Sequence, residues 1–256
     1  MTPVTVTAEQ VEAFQRDGVV ELGCILSTDE VGDLRERLER ACFDAAGAVL
    51  PAVRDLSEEK DRPLTYSVMQ VVDVHKRDRT FDHLVRRDDL LDVMEALLGP
   101  DIQLLRDQAF YKPAGHGGEI FMHQDNRYWH LDPPHAVTLW VALDDATVEN
   151  GCVHFVKGSH TWGRVQHMQA RDGRSILLEA RVEKSGSVPI EVPVGHATVH
   201  HCQTLHWSPP NRSPRPRRAF TVEYMAAGLR QRGQPCTEHT LLRGRLPSDV
   251  VAGSAR

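Results

Sequence analysis

The chain has 256 residues, of which 41% are hydrophobic, 26% charged and 6% aromatic, the composition of a globular protein with one large or two small domains. A disordered chain, a collagen and a disulfide scaffold are excluded. Thirty Lys and Arg against 36 Asp and Glu give a net charge of −6, which provides no reason to expect nucleic acid as a partner.

The chain contains no stretch close to the roughly 20 apolar residues of a membrane span, and residues 1–5 do not resemble a signal peptide. We therefore predict a cytoplasmic protein without a membrane partner. Its five cysteines are widely spaced and form no CxxC pattern, which argues against both a disulfide framework and a thiolate zinc site. Its 14 histidines concentrate between His116 and His206, which is a first indication of metal chemistry.

The first third of the sequence predicts a helical scaffold. Capping boxes at residues 7–10 and 27–30 each precede apolar residues at helical spacing. A short strand is predicted between these two helices, at residues 18–22. A third helical stretch covers residues 81–98 and ends at Gly99-Pro100, where we expect the glycine to form a left-handed C-cap.

From residue 102 the pattern changes to short apolar and β-branched runs separated by Pro, Gly, Asn and Asp, which is typical of an antiparallel sandwich or barrel. The predicted strands are residues 102–111, 136–143, 152–156, 188–192, 197–202 and 219–225. Long polar insertions at residues 127–134 and 163–186 predict binding loops or lids. Without a repeat or linker, we interpret residues 1–256 as one domain, with the helical scaffold at 7–100 and the β-core at 102–228.

The sequence also contains a candidate metal site. His123 and Asp125 are two residues apart, which in an extended chain directs both side chains to one face. His206 follows a later predicted strand, and a proline-rich turn then leads to Arg217. Two imidazoles and one carboxylate on a β-scaffold can form the facial triad of Fe(II) oxygenases, and a guanidinium can bind a carboxylate cosubstrate in a bidentate manner.

Several motifs, in their order and spacing, resemble the phytanoyl-CoA dioxygenase family of Fe(II)- and 2-oxoglutarate-dependent oxygenases over roughly residues 10–228. These motifs lie at residues 111–115, 123–128, 138–145, 150–160 and 206–217. The resemblance implies a mainly β fold with flanking helices, a double-stranded β-helix of the cupin-like jelly-roll type.

The resemblance also implies roles for individual residues. Iron would be held by His123, Asp125 and His206, and Arg217 would bind the far carboxylate of 2-oxoglutarate. Further candidates for the cosubstrate pocket are Ser208, Trp140, Thr138 and Gln108. Gln108 has the alternative of a solvent-facing strand position.

Other residues compete for these roles. His200 lies near His206 in the sequence and could be the metal ligand in its place. The alternative role of His200 is that of a packed residue behind the metal ligands. Arg215 lies in the turn before Arg217, and strand alternation directs Arg218 to the opposite face, so we predict both as solvated surface charges. We predict Lys112 as a surface lysine whose aliphatic stem lies along the protein.

Four residues that follow the metal motif mix aromatic and polar groups, as substrate pockets do. These candidate substrate residues are Arg127, Tyr128, Trp129 and His130. For Trp129 and His130, pocket wall and lid surface remain open alternatives. We expect substrate specificity to lie in residues 127–135 and in the insertion at 163–186.

Together these features predict a dioxygenase that uses Fe(II), 2-oxoglutarate and O2, with ascorbate supporting activity in vitro, and that hydroxylates a small organic metabolite, as in secondary-metabolite tailoring. Epimerisation, desaturation or cyclisation would use the same cofactors. Halogenation is disfavoured by the carboxylate of Asp125. A non-redox cupin, either an isomerase or a binding protein, is the alternative from another class, and Arg217 argues against it. Nothing in the sequence indicates an oligomeric state.

Overall fold

Both predicted capping boxes are present in the computed structural model, which describes residues 3–44, 46–56, 68–115, 118–169 and 177–248. Helix α1 is Ala8–Asp17 and helix α2 is Thr28–Cys42. At each start, the side chain of the N-cap residue accepts a hydrogen bond from the third helical residue, whose own side chain accepts one from the N-cap backbone. The capping chemistry of the sequence therefore sets where both helices begin.

The predicted helical stretch at 81–98 is in fact two helices, α3 at Arg79–Val85 and α4 at Asp88–Leu98. They separate because the backbone of Arg87 leaves the helical region, with φ −59° and ψ 127°. The left-handed cap predicted at Gly99 is wrong, since its φ of 92° is combined with a ψ of 179°. One more helix, α5, is Asn126–Trp129.

The described residues form 17 strands, seven of which the sequence predicted. The strands are β1 Val19–Cys24, β2 Arg54–Asp55, β3 Met69–Val72, β4 Ile102–Lys112, β5 Ile120–His123, β6 Leu131–Asp132, β7 Ala136–Ala142, β8 Val153–Phe155, β9 His167–Gln169, β10 Leu178–Ala180, β11 Val188–Ile190, β12 His196–His201, β13 His206–Ser208, β14 Arg217–Ala226, β15 Arg230–Gln231, β16 Gln234–Pro235 and β17 Thr240–Arg243.

The largest sheet has the order β1-β12-β7-β14-β4-β3-β2, with β17 also paired to β4, and all its pairs are antiparallel. A second sheet has the order β11-β8-β13-β5. Strands β1, β2, β3 and β17 come from outside the predicted core at 102–228, so the sheet extends beyond that range. This is the predicted mainly β architecture with flanking helices.

Strand alternation divides the large sheet into two chemically different faces. On β7, Val137, Leu139 and Val141 belong to the main hydrophobic core, which also contains buried residues of α1 to α4. Thr138 and Trp140, at the alternate positions, line a cleft against the second sheet. The helices therefore cover one face, and the polar residues are collected between the sheets.

The short strands β5 and β13, which carry candidate ligands, were not among the predicted strands, because three or four residues with histidines do not form an apolar run. The insertion at 163–186 contains the hairpin β9–β10, and residues 170–176 of it lie outside the described residues. In the part of the chain that the structure describes, no helix is both long and apolar enough to cross a membrane.

Candidate active site

The predicted metal ligands come together at the second sheet. Strands β5 and β13 are antiparallel neighbours in which His123 lies directly opposite His206. Asp125 Oδ1 is 3.4 Å from Nε2 of His123 and 3.6 Å from Nε2 of His206. One donor atom from each of the three residues lies within 4.8 Å of the others. This arrangement can accept one ion with donor atoms about 2.0–2.2 Å from it.

The reason for this convergence differs from the one expected from the sequence. We expected an extended chain through His123 and Asp125, but Asp125 is helical, with φ −55° and ψ −42°, at the start of α5. The turn from β5 into α5 brings the carboxylate back over the strand end. The structure therefore brings the predicted ligands together, but the predicted extended backbone at Asp125 is wrong.

Both candidate histidine ligands are held in the tautomer that a metal requires. His123 Nδ1 donates to the carbonyl of Phe121 at 2.7 Å, and His206 Nδ1 donates to the carbonyl of Thr204 at 2.9 Å. Because a carbonyl only accepts, each Nδ1 carries the proton and each Nε2 has a free lone pair. Burial, and then the neighbouring His123, hold the pKa of His206 well below its usual range, so His206 is neutral at pH 7.

Asp125 is oriented by two residues behind it. Its Oδ2 accepts hydrogen bonds from Thr138 Oγ1 at 2.8 Å and from His200 Nε2 at 3.1 Å, which leaves Oδ1 facing the histidines. Burial by itself raises the pKa of Asp125, but the surrounding imidazoles, His206 first among them, outweigh it and hold the pKa well below its usual range. His200 thus supports the carboxylate, whereas His206 belongs to the group of three side chains that could hold a metal ion.

Arg217 is a buried cation in the same cleft. Its residue is 3% exposed, its Nη1 donates to the carbonyl of Gly151, and its guanidinium carbon lies 5.4 Å from the centre of the Trp140 ring. Its buried Nε has no hydrogen-bond partner, and no described carboxylate forms an ion pair with Arg217. Burial lowers its pKa to about 10, so the group is still charged at pH 7. An uncompensated buried charge is costly, and an anionic ligand would compensate it.

The prediction of Lys112 as a surface residue is wrong. Its residue is 0% exposed, and its Nζ donates to Ser208 Oγ at 2.7 Å, to the Ser208 carbonyl at 3.3 Å and to the Pro209 carbonyl at 2.5 Å. Burial, and then the charge of Arg217, hold its pKa well below 10.5. Because Lys112 donates to Ser208 Oγ, the Ser208 hydroxyl proton is free to point into the cleft. Lys112 therefore positions Ser208. The alternation of side chains along the strand did not reveal this role in the sequence.

Gly151 is a further residue whose role the sequence did not show. It has φ +83°, and a Cβ added to it would lie 2.3 Å from the carbonyl oxygen of Pro209. Glycine is therefore required there, both by its backbone and by the close approach of the chain that follows β13. Its carbonyl is the acceptor for Arg217. The Asn-Gly dipeptide was the only local signal for this turn.

A cleft that is partly open to solvent lies between the two sheets. All the candidate cofactor residues line it: His123, Asp125, His206, Arg217, Ser208, Trp140, Thr138 and Gln108. The alternative of a solvent-facing Gln108 is wrong, since the residue is only 9% exposed and donates to Glu223 at 2.9 Å. Glu223, which was not predicted, also lines the cleft.

The two arginines that flank Arg217 have different positions. Arg215 is exposed, as predicted. Arg218 lies on the opposite face, also as predicted, but it is not a solvated charge. It forms ion pairs with Asp144 at 2.7 Å and with Glu39 at 2.6 Å, and its side chain is 14% exposed. The negative partners of Arg218 are thus provided by the protein, in contrast to Arg217.

None of the four candidate substrate residues lines the cleft, and Tyr128 contacts a candidate ligand. Tyr128 packs edge-on against the His123 ring, and its hydroxyl accepts a hydrogen bond from the Leu178 backbone at 2.8 Å. Trp129 is 4% exposed within a separate hydrophobic cluster, so it is neither lid surface nor cleft wall. His130 ends α5 in a left-handed conformation with φ 58°, and the buried Nε of Arg127 has no partner among the described residues.

Comparison with known proteins accounts for this arrangement. The phytanoyl-CoA dioxygenase (PhyH) family model matches residues 14–219. The chain belongs to this family. A probable alpha-ketoglutarate-dependent hypophosphite dioxygenase of Stutzerimonas stutzeri is 28% identical over 227 residues, 86% of this chain and 79% of that protein. As a member of the phytanoyl-CoA dioxygenase family, the chain is an enzyme, a non-haem dioxygenase dependent on Fe(II) and 2-oxoglutarate.

Solved structures agree with this membership. The apo form of the non-heme monooxygenase ThoJ is 25% identical with a TM-score of 0.74, over 92% of this chain and 84% of that one. EvdO2 from Micromonospora carbonacea var. aurantiaca, in complex with 2-oxoglutarate, is also 25% identical, with a TM-score of 0.72, over 93% of this chain and 98% of that one. The predicted jelly-roll fold of the phytanoyl-CoA dioxygenase family is confirmed.

Proposed function

We propose that His123, Asp125 and His206 hold Fe(II), that Arg217 binds the far carboxylate of 2-oxoglutarate, and that the enzyme hydroxylates a small organic metabolite. The observation that carries the proposal is the buried Arg217, without a carboxylate partner, in the same cleft as the ligand group. A non-redox cupin has no use for such a cation.

The residues present fit both groups. Two neutral imidazole nitrogens and one carboxylate oxygen are the donor set of facial-triad iron sites, which leave positions open for a cosubstrate. The guanidinium of Arg217, with the hydroxyl of Ser208 nearby in the same cleft, suits a carboxylate. The flat ring of Trp140 lies against the guanidinium and limits its orientation.

When bound, Fe(II) and 2-oxoglutarate supply the activation of O2 that permits oxidation of a C–H bond. The residues of the chain bind and orient. Thr138 and His200 hold Asp125 so that one oxygen faces the ion, while Lys112 holds Ser208 toward the cosubstrate. Because Arg217 is buried, water screens its electrostatic contacts less than it would at the surface.

A small-molecule substrate is supported by relatives such as the hypophosphite dioxygenase, whose name specifies a small substrate. The predicted roles of Arg127, Tyr128 and His130 in substrate binding are retained as part of the proposal. Tyr128 is the best placed of the three, because it contacts the ring of a proposed ligand. A cytoplasmic location is likewise retained.

An anaerobic titration tests the proposal. The Fe(II) protein is titrated with 2-oxoglutarate while the weak visible charge-transfer band of the chelate is recorded. We expect the band with the wild-type protein and with Asp88→Ala, a control whose side chain is 97% exposed. We expect no band and loss of bound iron with Asp125→Ala, while circular dichroism shows an unchanged fold. Full iron and a full band in Asp125→Ala would refute the assignment.

A further inference from the structure

Glu223 is a buried carboxyl that the proposed cofactor chemistry does not use. It lies on β14, directly opposite Thr138 of β7, and lines the cleft. Its Oε1 accepts hydrogen bonds from Thr221 Oγ1 at 2.7 Å and from Gln108 Nε2 at 2.9 Å. Its Oε2 is buried and has no hydrogen-bond partner within the described residues. A residue that is 1% exposed with one oxygen unpaired is a rare and costly arrangement.

The surrounding contacts hold this carboxyl in place. Gln70 of β3 donates to Oε1 of Gln108, so the amide group of Gln108 is oriented with its NH2 toward Glu223. Three strands, β3, β4 and β14, thus contribute to a single polar chain that ends at Glu223. Such an ordered chain presents the free oxygen in a defined direction, as binding sites do.

The position of Glu223 separates it from the proposed cosubstrate anchor. Glu223 and Arg217 are six residues apart on the same face of β14, a distance on the order of 20 Å along a strand. Thr138, opposite Glu223, bonds the proposed ligand Asp125. Glu223 is therefore near the level of the metal ligands and away from Arg217, in the part of the cleft that 2-oxoglutarate bound to Arg217 leaves free.

The charges around Glu223 indicate what it can bind. Arg106 faces it across the β14–β4 pair, but no described cation forms an ion pair with its carboxyl. When ionised, Glu223 presents its free oxygen as a hydrogen-bond acceptor. A protonated amine would satisfy this oxygen, and its positive charge would favour the ionised carboxyl over the protonated one.

We propose that Glu223 is a specificity-determining residue that binds the primary substrate through a protonated amine. This inference rests on the proposed function, because it places the donor group beside the metal ligands. The substrate would thereby be held from the side of the cleft opposite to Arg217.

Ligand-observed NMR on the protein loaded with Zn(II), a diamagnetic substitute for Fe(II), and 2-oxoglutarate tests it. The probes share one frame: cyclohexanol, cyclohexylamine, cyclohexanone and methylcyclohexane. We expect cyclohexylamine, which is protonated at neutral pH, to bind the wild-type protein at least tenfold more tightly than the other three probes. Glu223→Gln should lose this preference, whereas Glu149→Gln, at an exposed position, should retain it.

The results separate this inference from the proposed function. Failure of 2-oxoglutarate itself to bind the wild-type protein contradicts the proposed function. Normal 2-oxoglutarate binding with no preference for cyclohexylamine, or the same preference in Glu223→Gln, overturns the role of Glu223 alone. Loss of 2-oxoglutarate binding in Glu223→Gln also overturns it, because the residue would then belong to the cosubstrate site.

Discussion

A histidine ligand needs one nitrogen free of protons, and in both candidate ligands a backbone carbonyl two residues earlier provides for this. His123 bonds the carbonyl of Phe121, and His206 bonds that of Thr204. Since these carbonyls belong to the chain at β5 and just before β13, the imidazoles are oriented before any metal binds. The same holds for Asp125, which is held by Thr138 and His200. The site is thus preorganised by ordinary backbone and side-chain hydrogen bonds.

At this scale, Arg217→Ala should weaken 2-oxoglutarate binding by about 2–5 kcal/mol, the cost of removing one partner of a buried charged pair. That corresponds to roughly a 30-fold or larger rise in the dissociation constant, measured by the anaerobic titration. Arg215→Ala is the matched control, because its side chain is exposed in the turn before β14. An effect of Arg215→Ala equal to that of Arg217→Ala would contradict the assigned anchor.

Among the elements, β14 shows how alternation separates chemistry from packing. Arg217, Thr221 and Glu223 face the cleft, whereas Phe220 and Val222 face the helices. The Phe220 ring lies 4.7 Å from the Phe81 ring of α3, so the inner face of the strand is anchored by aromatic packing. Strand β14 therefore provides both the proposed cosubstrate anchor, Arg217, and the proposed substrate contact, Glu223, which lie six residues apart.

Helix α5 gives a test of the predicted substrate segment at 127–135. Trp129 is buried in a cluster with Leu131 and Cys202, so Trp129→Ala should lower the free energy of unfolding by about 3–5 kcal/mol. Urea unfolding followed by circular dichroism measures this. His130→Asn should change stability little, because Asn tolerates the left-handed backbone at that residue.

The same two variants distinguish packing from substrate binding. If Trp129 acts through packing, substrate-free conversion of 2-oxoglutarate to succinate should fall in proportion to the folded fraction. If Trp129→Ala leaves the free energy of unfolding unchanged, Trp129 does not act through packing. That result would favour a contact between Trp129 and the substrate.

On the scale of the whole molecule, the fold places apolar residues between helices and sheet and polar residues between the two sheets. The second arrangement has an energetic cost, since burial raises the pKa of Glu223 to about 8 against the 4.5 of an exposed glutamate. The hydrogen bonds of Thr221 and Gln108 lower this pKa only in part. Proteins retain such costly groups chiefly where they serve binding or catalysis.

A pH dependence of stability follows from the raised pKa. Between pH 4.5 and about 8 the folded metal-free protein retains the Glu223 proton that the unfolded chain releases. The stabilisation from this group is therefore fully present below pH 4.5 and is lost as the pH rises through about 8. Glu223→Gln removes this dependence, so its stability relative to wild type should rise by about 1 kcal/mol per pH unit in that interval.

Chemical denaturation of both metal-free proteins at pH 5.5, 6.5 and 7.5 provides the measurement. Taking the difference between variant and wild type removes the contributions of groups that titrate alike in both. A difference independent of pH would show that Glu223 is ionised in the folded protein.

The sequence alone was sufficient for the features that depend on local chemistry. Capping boxes placed α1 and α2, alternating apolar runs placed the long strands, and the spacing of His123, Asp125, His206 and Arg217 identified the candidate site. These signals are contained in a few neighbouring residues or in a motif order shared with a family. The short strands β5 and β13 were missed because they have no apolar run of their own and form by pairing with strands that are distant in sequence.

Only the tertiary structure decided which polar residues are buried together. The residues next to Lys112 in the sequence do not distinguish it from a surface lysine. Its hydrogen-bond partners when buried are Ser208 and Pro209, which are distant in sequence. Glu223 becomes a cleft residue because β7 and β4 flank β14 and bring Thr138 and Gln108 beside it. Burial and pairing are properties of packed strands, since desolvation and hydrogen-bond partners come from residues far along the chain.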